Sequence, residues 1–190
     1  MTIRLAYPHE GVVRHEFMWS VLRLLSARDD VQIDWWGPCN HNDVALGRSS
    51  LVWRMLQEPD DTHLLFADTD QVFTPDDFTR LLGHDLPVVA GVAVAEDRQL
   101  KWKPLDGEPP EGRTGLHEAE YVGCGFMLIK RDVLEAVGEW PFRQGLDPQS
   151  QGSIGTDVYF CRTARAAGFA VWADADVKIG HIKPQVLYPE

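Results

Sequence analysis

The chain has 190 residues, of which 44% are hydrophobic and 25% charged, a composition that suits one soluble domain with a buried core. Its 29 acidic and 18 basic residues give a net charge of −11, which disfavours a protein that holds nucleic acid by neutralising phosphates. Its three cysteines are scattered and form no C-x-x-C pair, so neither a disulfide framework nor a zinc ribbon is indicated. No signal-peptide pattern and no apolar stretch of membrane-spanning length occurs, so we expect a cytoplasmic protein without a membrane partner.

Strand-like and helix-like segments alternate through the first half of the chain. We predict strands where short apolar runs are closed by turn residues, and helices where apolar residues recur every three or four positions. The predicted strands are 3–7, 31–36, 62–67 and 87–94, and the predicted helices are 12–27, 43–57 and a third that opens at Thr74. This alternation predicts an α/β domain with a mostly parallel central sheet flanked by helices.

Two long irregular segments, 96–118 and 140–154, interrupt this pattern in the second half. Both are rich in glycine and proline, and loops of this length are often functional or mobile, so we expect two mobile loops beside a site. The remaining predicted elements of the single domain, 1–190, are a strand at 121–130, a helix at 131–137, a helix at 155–168 and a strand at 171–173.

Asp68 and Asp70 directly follow the buried apolar run 64–67. Side chains two positions apart on an extended segment point the same way, so both carboxylates can face one point at the end of the strand. Two oxygen ligands at the mouth of an α/β sheet suit Mg²⁺ or Mn²⁺, with a substrate phosphate completing the shell. Asp76 and Asp77 instead belong to the start of the next helix, where acidic residues serve as caps.

Four segments in chain order resemble the GT-A class of nucleotide-sugar glycosyltransferases, especially the short family-2-like enzymes of phages and bacteria. The segments are Asp68-Thr69-Asp70, the strand 121–130 with its glycines, the helix start at 155–168, and Gly180-His181. The resemblance covers 3–181 and implies a single GT-A-like, Rossmann-related domain. It also implies transfer of a sugar from a nucleotide diphosphate donor to an acceptor hydroxyl.

The resemblance assigns roles at the metal and at the reacting hydroxyl. It implies that Asp68, Asp70 and His181 hold Mn²⁺ or Mg²⁺, which stabilises the departing diphosphate, and an imidazole ligand suits Mn²⁺ better. It implies that Asp157 is the base of an inverting reaction, although Thr156 stands where a glutamate is common. In a retaining enzyme no base would be needed, and Asp157 would only orient the acceptor. Two plainer readings stay open, a surface histidine at 181 and a helix-capping acid at 157.

Further residues are implied on the donor and acceptor sides. Arg48 lies in a segment that resembles the family's A-R-N motif, and glycines 123 and 125 let the backbone approach a ligand closely. The donor-side residues are Tyr7, Pro8, Arg48, Asp68, Gly123 and Gly125. The acceptor-side candidates are aromatic residues of the irregular segments, whose rings can either stack on sugars or anchor the core: Trp102, Trp140 and Phe142.

Several functions remain open at this point. We expect a UDP-sugar as donor, while modified DNA bases, proteins, glycans and small molecules are all possible acceptors. A haloacid-dehalogenase-type phosphatase would use Asp68 as its nucleophile, but two strand–helix units precede the motif and only Asp174-Ala175-Asp176 offers a downstream acidic pair. A degenerate nucleotide-sugar binding module is the third possibility, because Thr156 and Ser49 depart from the family pattern. An EF-hand is excluded because Phe73 stands where its loop needs glycine.

Overall fold

A central sheet with helices on both faces organises residues 1–9, 11–33, 43–94, 99–146 and 152–183, the part of the chain described by the computed structural model. The helices are α1 (His15–Ala27), α2 (Val44–Gln57), α3 (Pro75–Gly83), α4 (Arg131–Val137) and α5 (Thr156–Ala166). The strands are β1 (Thr2–Ala6), β2 (Val31–Ile33), β3 (Asp61–Ala67), β4 (Gln71–Val72), β5 (Val88–Val92), β6 (Trp102–Pro104), β7 (Leu116–Val122), β8 (Phe126–Lys130), β9 (Gly145–Leu146), β10 (Ser153–Ile154), β11 (Val171–Lys178) and β12 (Gly180–His181).

Eight of these strands form the central sheet, in the order β2-β1-β3-β8-β5-β11-β7-β6. The strands β1, β2, β3, β5 and β11 run in one direction, and β8 lies between β3 and β5 in the opposite direction. The predicted α/β fold with a mostly parallel sheet is therefore confirmed. Because these five strands share a direction, their carboxyl ends lie at the same edge of the sheet.

Alternating side chains of β3 supply both layers of the core. Leu64 and Phe66 pack with residues of α2, α4 and α5, whereas Leu65 and Ala67 pack with residues of α1 and α3. All four side chains are fully buried, as a strand covered by helices on both faces requires. Helices thus cover both faces of β3, and the end of this strand is where a site can form.

The second half of the chain differs from the prediction. The segment 96–118 is not wholly irregular, since it contains β6 and the start of β7, and β6 is the outermost strand, where Pro104 costs no inner ladder bond. The single strand predicted at 121–130 is two strands, β7 and β8, separated by Gly123-Cys124-Gly125. Residues 34–36, 96–98 and 147–151 of the predicted segments lie outside the described residues, and the mobility of the two loops stays a prediction.

Candidate active site

The chain segments that leave the carboxyl ends of β1, β3 and β11 meet at one edge of the sheet. Pro8 follows β1, Asp68 and Asp70 follow β3, and His181 lies three residues beyond β11. The turn before β8 joins them there, because the carbonyl of Gly125 accepts a hydrogen bond from the amide of Asp68 at 3.0 Å. The crevice outside these strand ends is where open α/β sheets bind their ligands.

Two adjoining cavities open at this edge. The larger, of about 440 Å³, is lined by Pro8 and His9 together with the start of α2. The smaller, of about 190 Å³, is lined by the glycine turn before β8, by Asp157 and by His181. Arg48, Asp68 and Asp70 line both cavities and therefore form the boundary between them.

Arg48 ties the end of β3 to the start of α5. Its Nη2 donates to both carboxylate oxygens of Asp68, at 2.9 and 3.0 Å, and its Nη1 donates to Oγ1 of Thr156 at 2.6 Å. Burial alone would lower the pKa of the Arg48 guanidinium, but the negative charge of Asp68 raises it above its usual value, so the side chain stays charged. Thr156, where the resemblance would place a glutamate, thus anchors Arg48, a role that the sequence did not reveal.

Ser49 holds the segment that follows α4. Its hydroxyl lies 3.3 Å from both the amide nitrogen and the carbonyl oxygen of Phe142. The ring of Phe142 in turn stacks on Phe160 of α5, with centroids 4.8 Å apart. Ser49, where the resemblance would place an asparagine, therefore has a structural function, fixing this segment to α2.

Asp70 and His181 are brought together by the short antiparallel pair β4·β12. The Asp70 Oδ2 lies 2.9 Å from His181 Nε2, and the amide of Ile182 donates to the Asp70 carbonyl at 2.8 Å. His181 Nδ1 faces the carbonyl oxygen of Val94, which can only accept a hydrogen bond, so Nδ1 carries the proton. In the neutral ring Nε2 then presents a lone pair to a carboxylate oxygen, and two acceptors in contact call for a cation or a second proton between them.

The side chains present fit a divalent cation in part. Among the described residues, no group of three or more His, Cys, Asp and Glu side chains surrounds one point. Asp70 and His181 are a two-ligand set, while both oxygens of Asp68 accept from Arg48. One carboxylate and one imidazole suit an ion that takes its other ligands from phosphate and water. The structure thus brings Asp68 and Asp70 to the same cavities but gives each a different partner.

Asp157 lies in the first turn of α5 and lines the smaller cavity. Its Oδ1 accepts from the amide of Val158 at 2.9 Å, and the side chain is half-buried. A Cβ on Gly155 would lie 2.7 Å from this oxygen, so the glycine leaves room for the carboxylate. The acid therefore belongs both to the helix start and to the wall of the cavity, as each of its two predicted roles requires.

The glycine turn before β8 forms another wall of the smaller cavity. A Cβ on Gly125 would meet the side chain of Gln71 at 3.1 Å, and one on Gly123 would meet Lys101 at 3.2 Å. Between them Cys124 is buried, and burial raises the pKa of its thiol well above the usual value, so the thiol stays neutral. The turn thus provides backbone and a neutral side chain rather than a charge.

The predicted nucleobase residues lie at the other end of the site. Pro8 lines the larger cavity, but Tyr7 does not, since its ring packs edge-on against Phe17 with centroids 5.3 Å apart. His9 lines the cavity beside Pro8 and was not singled out from the sequence. Its position beside Pro8, just beyond the end of the first strand, was the signal that would have found it.

The aromatic residues predicted on the acceptor side have different environments. Trp102 and Phe142 are each 2% exposed and pack in the core, so neither ring has a face available to stack on a sugar. Packing against α5 and β7 is therefore their function, which corrects the acceptor role for these two residues. Trp140 is 50% exposed, and its acceptor role stays a prediction.

Asp174 and Asp176, the acidic pair that the phosphatase alternative would need, bond to Arg80. Asp174 on β11 is fully buried, and its carboxylate bonds to Arg80 and His84 of the α3 region, at 2.5 and 2.7 Å. It lines neither of the two cavities at Asp68. The phosphatase reading thus gains no support from this pair.

Comparison with known proteins shows what this chain resembles. Neither a protein-family model nor a curated protein sequence matches it. Among solved structures, A197 from STIV shares the fold with a TM-score of 0.68 and 22% identity, over 100% of this chain and 98% of that one. GalNAc-T7, solved with UDP, GalNAc and Mn²⁺, matches with a TM-score of 0.61 and 10% identity, over 96% of this chain and 44% of that one.

These likenesses establish the fold, which is GT-A-like as the sequence predicted. Within the described ranges, no helix has both the length and the apolar character needed to cross a lipid bilayer. A cytoplasmic location and a phage-type origin stay predictions.

Proposed function

We propose that this protein is a metal-dependent glycosyltransferase that moves a sugar from a nucleotide diphosphate donor to an acceptor hydroxyl. The observation that carries the proposal is the contact between His181 Nε2 and Asp70 Oδ2 at the boundary of two cavities. When the ring is neutral, its Nδ1–H donates to the carbonyl of Val94 and its Nε2 presents a lone pair beside the Asp70 carboxylate, an arrangement that suits a divalent ion.

Each of the two cavities would bind a different part of the donor. The larger one, beside Pro8 and His9, would take the nucleoside, and the smaller one, beside Asp157, would take the sugar. Asp70 lines both, so the diphosphate would lie at this boundary. A UDP-sugar is the donor we expect, and the fold shared with GalNAc-T7, a protein solved with UDP and Mn²⁺, supports that choice.

Asp70 and His181 would hold Mn²⁺ or Mg²⁺, which when bound neutralises charge that grows on the departing diphosphate, and the metal-ligand role of Asp68 stays a prediction. Arg48 has a separate task, because it holds Asp68 and the start of α5 in one geometry. It adds a permanent positive charge within the wall that separates the cavities, where a diphosphate would lie.

Asp157 is the residue that we propose removes the proton from the acceptor hydroxyl. Its carboxylate lies at the wall of the smaller cavity, where the anomeric carbon of the donor would be placed. The acceptor oxygen, as it loses its proton to Asp157, would attack the anomeric carbon on the face opposite the diphosphate; the new glycosidic bond forms as the bond to the diphosphate breaks, and the configuration inverts. The acceptor itself, whether a modified DNA base, a protein, a glycan or a small molecule, is not identified by these residues.

Ligand-induced stabilisation tests the metal and donor together. We would record melting temperatures with UDP, GDP, CDP, ADP and TDP, each with and without Mn²⁺. A ligand at 100 times its dissociation constant stabilises by about 2.7 kcal/mol, and we expect this only for UDP with Mn²⁺. Asp70→Ala should abolish the shift, whereas Asp76→Ala, which removes an exposed aspartate in the first turn of α3, should keep it.

A hydrolysis assay tests the assignment of Asp157 as the base. We would incubate the protein with UDP-hexoses and measure the UDP that is released. Asp157→Asn should abolish hydrolysis while the Mn²⁺-dependent shift with UDP is retained. Asp132→Asn, in the first turn of α4, is the matched control and should hydrolyse normally. Near-normal turnover by Asp157→Asn would show that another group accepts the proton. Binding of UDP without hydrolysis by the wild-type protein would favour a binding module instead.

A further inference from the structure

Gln71 is a buried polar residue at the site to which the proposed function gives no role. It is 3% exposed, lines the smaller cavity, and donates from its amide nitrogen Nε2 to Asp70 Oδ1 at 3.3 Å. Its side-chain oxygen Oε1 is buried without a hydrogen-bond partner among the described residues. A buried acceptor without a partner destabilises the folded state, so an apolar side chain would suit this position better if packing were its only function.

The backbone fixes Gln71 opposite His181 and at the turn that follows β3. In the β4·β12 pair Gln71 lies directly opposite His181, and the backbone N–H of Gln71 donates to the backbone carbonyl of Asp68 at 2.9 Å. A Cβ on Gly125 would lie 3.1 Å from Cδ and 3.2 Å from Nε2 of Gln71. The side-chain amide therefore rests against the bare backbone of Gly125, with little freedom to move.

The two oxygens of Asp70 have different neighbours. Oδ2 faces His181 Nε2 at 2.9 Å and Lys183 Nζ at 3.4 Å, whereas Oδ1 accepts from Gln71. A donor on Oδ1 fixes the rotation of the carboxylate about its Cβ–Cγ bond. It thereby directs Oδ2 toward the imidazole nitrogen with which it would share an ion. Residues that hydrogen-bond to a metal ligand without contacting the ion set the orientation of that ligand and the affinity of the site for the metal.

We propose that Gln71 is a positioning residue that orients Asp70 toward a divalent cation, and that residue 125 is glycine because it leaves room for the Gln71 amide. This inference rests on the proposed function, since it assumes that Asp70 and His181 bind the ion. It gives Gly125 an indirect role, in place of the direct donor contact that the sequence suggested.

Gln71→Met tests the proposal, because methionine has a similar length but no donor. We would titrate the full-length protein with Mn²⁺ in the presence of UDP and measure free Mn²⁺ by electron paramagnetic resonance. Loss of such an outer partner weakens metal binding about 10- to 100-fold, and we expect a change of that size. The melting temperature in EDTA should be unchanged or higher, which a purely structural role for Gln71 does not predict. Gln57→Met, at an exposed glutamine of α2, should bind Mn²⁺ normally.

A double-mutant cycle tests the link between Gln71 and Gly125. Gly125→Ala should displace the amide and weaken Mn²⁺ binding, and adding it to Gln71→Met should cause little further loss. Gly123→Ala is the matched control, because its Cβ would meet Lys101 instead, and its effect should add to that of Gln71→Met. If Gly125→Ala fails to fold, Gln71→Met decides the proposal alone.

The two possible failures give different results. Wild-type protein that binds Mn²⁺ with UDP, and a Gln71→Met variant with the same affinity, would refute the role of Gln71 and leave the proposed function intact. Wild-type protein that binds no Mn²⁺ under these conditions would refute both. An additive effect of Gly125→Ala and Gln71→Met would refute the explanation of the glycine.

Discussion

Replacing Arg48 by methionine should destabilise the protein through the charge that it leaves behind. The Arg48 side chain is 8% exposed and that of Asp68 is 29% exposed. Removing one partner of a buried ion pair costs about 3–5 kcal/mol, and because Asp68 retains some contact with water we expect the lower end, about 3 kcal/mol. For a chain of this size that corresponds to a fall in melting temperature of roughly 6–12 °C.

Urea unfolding in EDTA, followed by circular dichroism, would measure this loss without a contribution from metal. Arg48→Met combined with Asp68→Asn should be more stable than the sum of the two single changes predicts, because a neutral side chain at 68 needs no counter-charge. Arg162→Met, at a half-exposed position on α5, is the control and should cost less than about 1 kcal/mol. Additive effects in the double variant, or a loss below 1 kcal/mol for Arg48→Met, would refute this reasoning.

Other predictions concern the core and the acceptor side. Burial alone would raise the pKa of Asp174, but hydrogen bonds, the strongest of them from Arg80, lower this pKa below the usual 3.8. The ionised Asp174 carboxylate therefore stabilises the fold above pH 3.8, and this stabilisation is lost as the pH falls below that value. Gly91→Ala should cost about 1–3 kcal/mol, because the new Cβ would lie 2.7 Å from a side-chain carbon of β11. Phe142→Ala should cost about 3–5 kcal/mol, whereas Trp140→Ala should change stability by less than about 0.5 kcal/mol and reduce only acceptor-dependent turnover.

Urea midpoints recorded from pH 7 to pH 3 check the first of these predictions, and Asp174→Asn should show a flatter decline at the acidic end. A profile identical to that of the wild type would contradict it. The remaining variants are compared at pH 7, where Gly83→Ala, at a position with open space around the new Cβ, is the control for Gly91→Ala. A large loss of stability in Trp140→Ala, or none in Phe142→Ala, would contradict the burial described above.

The strand-end position of the acidic motif could be predicted from local pattern, but its geometry could not. The apolar run before Asp68 indicates a buried strand, and the structure has that strand ending at Ala67. The rule that residues two apart point the same way holds only within an extended segment, and the chain turns at Thr69 and Asp70. The two carboxylates therefore diverge, one toward Arg48 and the other toward His181.

Local sequence pattern also could not predict which of the loop aromatic rings are buried. Trp102, Trp140 and Phe142 all lie among glycines and prolines, and nothing in their neighbours separates an exposed ring from a buried one. The pairing of β6 with β7 buries the first, and stacking on Phe160 buries the third. Both contacts join segments that are distant in the chain.

Local periodicity determined the alternating elements, the capped helix α3 and the strand end that carries Asp68, because each depends on neighbours within a few positions. Tertiary structure alone decided which groups meet at the site. Arg48 reaches Thr156 across 108 positions and His181 reaches Asp70 across 111, and the antiparallel β8 lies between parallel strands. Such contacts form only when the packing of the whole sheet brings its strand ends together, so no stretch of sequence specifies them by itself.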